Sequence, residues 1–157
     1  MTDYAKLHKK ARDDVKACLQ VWKEILSEES RGVEYAYAKG SATKNWDSPI
    51  DYVPEISDVD IHIFTTKPEG LFTPPYNFDD AIHLSEHYET RFREIKQDAL
   101  HMPRSQIMHI KRMKEFMEKY CPPRISDVHI LFGAPQQEEI LDVDTIRNQD
   151  LINLEEL

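Results

Sequence analysis

Ser57-Asp58-Val59-Asp60-Ile61-His62-Ile63-Phe64 is the stretch on which the reading of this chain turns. Apolar residues at every second position predict a β-strand. Side chains two apart on a strand point to the same face, with Cβ atoms roughly 6.6 Å apart, so Asp58 and Asp60 look into one small volume. Charges within an otherwise apolar strand are expensive to bury unless something compensates them. Two hard cations that clamp a phosphoryl transfer lie about 3.5 to 4 Å apart, a span that two such carboxylates can bridge. The pair therefore points to a metal and phosphate site.

Two further segments extend this reading. Residues 33–39, Val-Glu-Tyr-Ala-Tyr-Ala-Lys, have strand composition and run straight into Gly40-Ser41, a tight turn. Arg124-Ile125-Ser126-Asp127-Val128-His129-Ile130-Leu131-Phe132 reads as a later strand over 125–132, with Asp127 and His129 on a common face and Gly133-Ala134-Pro135 closing it. If that strand neighbours the one carrying Asp58 and Asp60, the spacing of about 4.8 Å between adjacent strands brings in Asp127 as a third carboxylate. Three carboxylates in one pocket raise one another's pKa values unless cations intervene.

Tyr37-Ala38-Lys39-Gly40-Ser41 followed by Ser57-Asp58-Val59-Asp60-Ile61 resembles the signature of the DNA polymerase beta-type nucleotidyltransferase superfamily, over roughly residues 33–132. The resemblance implies an α/β or α+β domain: a small mixed β-sheet with helices packed on it. It also implies that Gly40 and Ser41 cradle the phosphates of a nucleoside triphosphate, ATP first among them. Asp58 and Asp60 would ligate two magnesium ions, with manganese as a substitute, and Asp127 would be the third ligand, beside the attacking hydroxyl. The reaction implied is transfer of a nucleoside monophosphate to an acceptor hydroxyl with release of pyrophosphate. The interval between Ser41 and Asp58 is longer than in compact relatives and contains Asp47, Asp51 and Glu55, so Ala42–Trp46 is the only stub of the helix expected after the turn. Lys44 reads as a solvated lysine.

His62 and His129 fall on the faces of the carboxylates, which admits a mixed Asp/His transition-metal site. A neutral imidazole supporting a carboxylate is the simpler role. His8, His83, His87, His101 and His109 are read as lacking ligand spacing. Two other functions stay open: a regulatory or antitoxin-like, protein-binding member of the same fold with little or no catalysis, and a metal-dependent hydrolase.

The remaining elements follow from periodicity. Tyr4, Leu7, Ala11, Val15, Cys18, Trp22 and Ile25 recur at helical steps and predict a long first helix that Arg31-Gly32 ends. Residues 42–56 read as a loop and 66–77 as a long exposed connection. Leu84, Tyr88, Phe92, Ile95 and Ala99 predict a second helix. Ile107, Ile110, Met113, Met117 and Tyr120 predict a third, starting after Pro103 and stopped by Cys121-Pro122-Pro123.

A chain of 157 residues suits one domain with its own core. The net charge of −9 disfavours wholesale capture of nucleic acid, so a small molecule or a protein is the expected acceptor ahead of RNA. A basic stretch at 104–124 is offset by an acidic extension over 133–157, which reads as a tail cut from a longer protein. Cys18 and Cys121 form no disulfide framework and suit a reducing cytoplasm. The charged segment 1–12 is no signal peptide, and no run of residues has the length and apolarity of a membrane span. The small size leaves room for a second copy or a partner protein to complete the site.

Overall fold

The computed structural model describes residues 4–67, 70–72, 78–116, 123–134, 147–148 and 151. In chain order the elements are α1 (Tyr4–Glu28), β1 (Val33–Lys39), a 3-10 turn (Gly40–Ala42), β2 (Asp58–Thr65), α2 (Phe78–Ile95), β3 (Arg104–His109), α3 (Ile110–Phe116), a second 3-10 turn (Ile125–Asp127) and β4 (His129–Phe132). The four strands form one sheet in the order β3-β2-β1-β4. β1 runs antiparallel to both β2 and β4, whereas β2 and β3 are parallel. A parallel pair needs a crossover, and α2 supplies it. The fold is thus a mixed α+β sheet carrying helices, as expected.

The two faces of the sheet differ. Ala36 and Ala38 of β1, Val59, Ile61 and Ile63 of β2, and Leu131 of β4 are buried with Val15, Cys18, Trp22, Ile25 and Leu26 of α1 and Leu84, Tyr88 and Phe92 of α2. Each large aliphatic side chain buried there contributes about 1.5–3 kcal/mol. The opposite face carries a smaller cluster. Tyr35 and Tyr37 of β1 and Ile110 of α3 are buried there, with Phe64, Val128 and Ile130 packed on them. Asp58 and Asp60 alternate with Val59 and Ile61, so they belong to this second face.

Three sequence expectations change. Residues 104–109 form a strand rather than the start of a helix, because Ser105 and Ile107 turn toward the main core while Arg104 and Gln106 stay exposed, a period of two. Ile107 and Ile110 mimic helical spacing, and pairing with β2 overrides it. The strand expected over 125–132 shortens to His129–Phe132, since Ile125–Asp127 closes a 3-10 turn with Asp127 N–H donating to Arg124 O at 2.9 Å. The connection after β2 is not wholly exposed: Phe72 is completely buried. Met117, Tyr120 and most of the acidic extension lie outside the described residues. No described helix is long and apolar enough to cross a membrane.

The loop between the first turn and β2 is packed. Trp46 and Tyr52 are buried and stacked, with ring centroids 4.5 Å apart. Trp46 donates its indole N–H to Ser41 O at 2.7 Å, and Arg12 lies 3.8 Å over its ring. Tyr52 Oη lies 3.0 Å from His101 Nε2. Beyond it, Asp14 on the buried side of α1 accepts from the backbone N–H groups of Leu100 at 2.8 Å and His101 at 3.2 Å. His101 Nδ1 is 3.3 Å from the same oxygen. This polar chain, which periodicity could not show, ties α1 to both loops.

Candidate functional site

The end of β1 places Gly40 beside β2. Lys39 pairs with Asp60 across the two strands, and Gly40 follows with φ of 81°, a left-handed conformation that glycine adopts without penalty. A Cβ built on Gly40 would fall 2.9 Å from Asp60 Oδ2. The missing side chain therefore lets a carboxylate oxygen lie directly against the turn. Thr43 holds the turn closed, donating its hydroxyl to Gly40 O at 3.1 Å.

Asp58 and Asp60 are half-buried on one face of β2. Burial, and then the charge of Asp58, hold the Asp60 carboxyl above its usual pKa, with Lys39 pulling the other way. Below them on the same face, His62 is fully buried and its Nδ1 lies 3.3 Å from Tyr37 Oη. Burial, helped by the charge of Lys39, lowers its pKa to about 4, so His62 is neutral at pH 7. Its Nε2 is buried without a hydrogen-bond partner among the described residues.

Asp127 does not stand where the sequence reading puts it. β1 lies between β2 and β4, and Asp127 precedes β4 in the 3-10 turn, so it is not on a strand that neighbours the one carrying Asp58 and Asp60. It sits at the same end of the sheet, because its carbonyl oxygen lies 3.1 Å from Thr43 Oγ1, yet the residue is exposed. Ser126 donates its hydroxyl to Asp127 Oδ1 at 3.0 Å. The residues that do flank the pair come from β3: Arg104 is opposite Asp58 and Gln106 is opposite Asp60. Arg104 reaches back to donate to Ile56 O at 2.9 Å. The alternation Arg104, Gln106, Met108 was the signal for this strand.

His129 is also misplaced by the sequence reading. It pairs with Ala38, which belongs to the main core, so it faces the helices rather than the carboxylates. Burial and then the charge of Lys23 on α1 lower its pKa. Among the described residues, no three His, Cys, Asp or Glu side chains gather as a group that could hold a metal.

Two carboxylates still suit magnesium, because this ion commonly takes one or two protein carboxylates and completes its shell with water and substrate phosphates. Asp58 and Asp60 offer that hard oxygen pair, and their mutual repulsion would be relieved by a cation. Among the described residues, no third carboxylate groups with the pair.

Compared with protein-family models, curated proteins and solved structures, the chain has no match.

Proposed function

We propose that the half-buried Asp58–Asp60 end of β2 binds a magnesium–nucleoside triphosphate, and that the chain transfers a nucleoside monophosphate from it to an acceptor hydroxyl, releasing pyrophosphate. The observation supporting this most directly is the approach of Asp60 to Gly40, where an ordinary side chain would collide with the carboxylate. That approach joins the two parts of the motif, the glycine-serine turn and the acidic strand, in space. Asp58 and Asp60 would hold the ion, and Gly40 and Ser41 would receive the phosphates. Magnesium, when bound, would neutralise the carboxylates and the growing charge on the phosphoryl oxygens. Lys39 adds a cation at the same edge, and neutral His62 fills the space beneath. A reducing cytoplasm suits the buried thiol of Cys18.

The position of β1 between β2 and the strand that Asp127 precedes favours a second reading: a domain that binds the nucleotide but acts through a protein partner, with little or no transfer. One experiment separates them. The purified chain is incubated with magnesium and each of the four ribonucleoside triphosphates, while nucleotide binding and pyrophosphate release are followed together. Binding with release supports the enzyme, and binding without release supports the partner-dependent reading. Absence of magnesium-dependent binding to any triphosphate defeats both.

A further inference from the structure

A second group of potential ligands lies on the other side of the sheet. α2 carries His83-Leu84-Ser85-Glu86-His87, and residues four apart share one face of a helix. The two imidazole rings are neighbours, with centroids 5.9 Å apart and planes inclined by 37°. His83 is exposed, whereas His87 is half-buried. The Nδ1 of His87 is enclosed and has no hydrogen-bond partner among the described residues. A paired histidine spacing, contrary to the sequence reading, is therefore present and brought together.

We infer that His83 and His87 form a two-histidine chelate for a divalent late first-row transition ion, Zn2+, Ni2+ or Cu2+. Neutral imidazole is the preferred donor for these ions and a poor one for magnesium, so the site is chemically distinct from the carboxylate pair. Metal–nitrogen bonds of about 2.0–2.1 Å hold two rings on one ion with centroids roughly 5 Å apart, which a small rotation of His83 achieves. His83 lines a surface depression of about 510 Å³ together with Glu28, Glu29, Asp80 and Arg31, and Glu28 is paired with Arg91 of α2 at 2.6 Å. Because no third His, Cys, Asp or Glu side chain joins the pair among the described residues, water or an external donor fills the remaining positions. The site is therefore open, with coordination positions available to a second molecule. α2 packs its other face, Leu84, Tyr88 and Phe92, into the core, so the helix backbone under the pair is fixed.

The test is calorimetric titration of the metal-free full chain with NiCl2 and with ZnCl2, repeated on His83→Gln, His87→Gln and Asp58→Asn. Saturable binding of one ion per chain is expected in the wild type and in Asp58→Asn. Each histidine variant should bind at least about tenfold more weakly, since losing even a residue that only supports a ligand costs that much. His83 is exposed, so its variant keeps the fold, and far-ultraviolet circular dichroism verifies this for both. No saturable binding, equal affinity in the wild type and His83→Gln, or loss of binding in Asp58→Asn would each overturn the assignment.

Discussion

Asp60 Oδ2 occupies the space a side chain at position 40 would need, since a Cβ on Gly40 would come within 2.9 Å of it. The backbone there is left-handed as well, with φ of 81°. Gly40→Ala therefore meets both strain and collision. It should lower stability by about 1–3 kcal/mol, read from urea unfolding, and should weaken magnesium–nucleotide binding by displacing Asp60. Unchanged stability and binding would mean that the turn and the strand are not in contact.

Removing one charge of the acidic pair should not damage the fold. The Asp60 carboxyl is held above its unfolded-state pKa, so its charged form disfavours folding. The associated stability is greatest below the unfolded value of about 3.9 and is lost as pH rises through the folded one. At pH 7, Asp60→Asn should therefore be as stable as the wild type or more so. With magnesium and nucleotide added the order should reverse, because only the wild type gains melting temperature by mass action. Thermal unfolding with and without the ligands measures both.

His62 carries the opposite dependence. Its folded pKa of about 4 lies below the ordinary histidine value near 6.5, so the unfolded chain takes up the proton first. The contribution is fully present above pH 6.5 and is lost as pH falls from there toward 4, amounting to roughly 3 kcal/mol. Urea midpoints at pH 7, 5.5 and 4.5 should fall more steeply in the wild type than in His62→Leu. Parallel slopes would place the acid sensitivity elsewhere.

Asp14 is completely buried and accepts from two backbone N–H groups. Asp14→Ala leaves both donors and His101 without their acceptor and should cost about 3 kcal/mol or more. Asp14→Asn retains an oxygen and should cost less. Chemical denaturation of the two variants should rank them in that order.

Asp127→Asn should leave magnesium–nucleotide binding within about twofold of the wild type, because the residue is exposed and precedes a strand that β1 separates from the pair. A large loss of binding in a titration with the triphosphate would instead require the turn at 125–127 to close onto β2.

What the sequence made legible was local. The spacing from Tyr4 to Ile25 declares α1, and the alternation at 58–64 declares β2. Gly40-Ser41 marks the turn. Non-local pairing was hidden. Nothing in residues 124–132 states that β4 joins β1 instead of β2, yet that one choice puts β1 between the pair and the strand that Asp127 precedes. Pro103 and the three-residue step from Ile107 to Ile110 disguised β3 as a helix, concealing Arg104 and Gln106 as neighbours of the pair. Asp14 sat on a helix next to Val15 with no local mark of burial. The four-residue step from His83 to His87 falls on the predicted second helix, yet the sequence reading finds no ligand spacing in it; the ring centroids, 5.9 Å apart, show the two side by side.

Because Trp46 is bound to Ser41 and stacked on Tyr52, and Tyr52 meets His101 on its way to Asp14, the residues between the turn and β2 act as a brace and not as a swinging lid. Opening them would expose two aromatic rings and break a buried polar relay. Under the proposed function, gating of the carboxylate face would come instead from an incoming partner or substrate over the edge strand β3, beside Arg104 and Gln106.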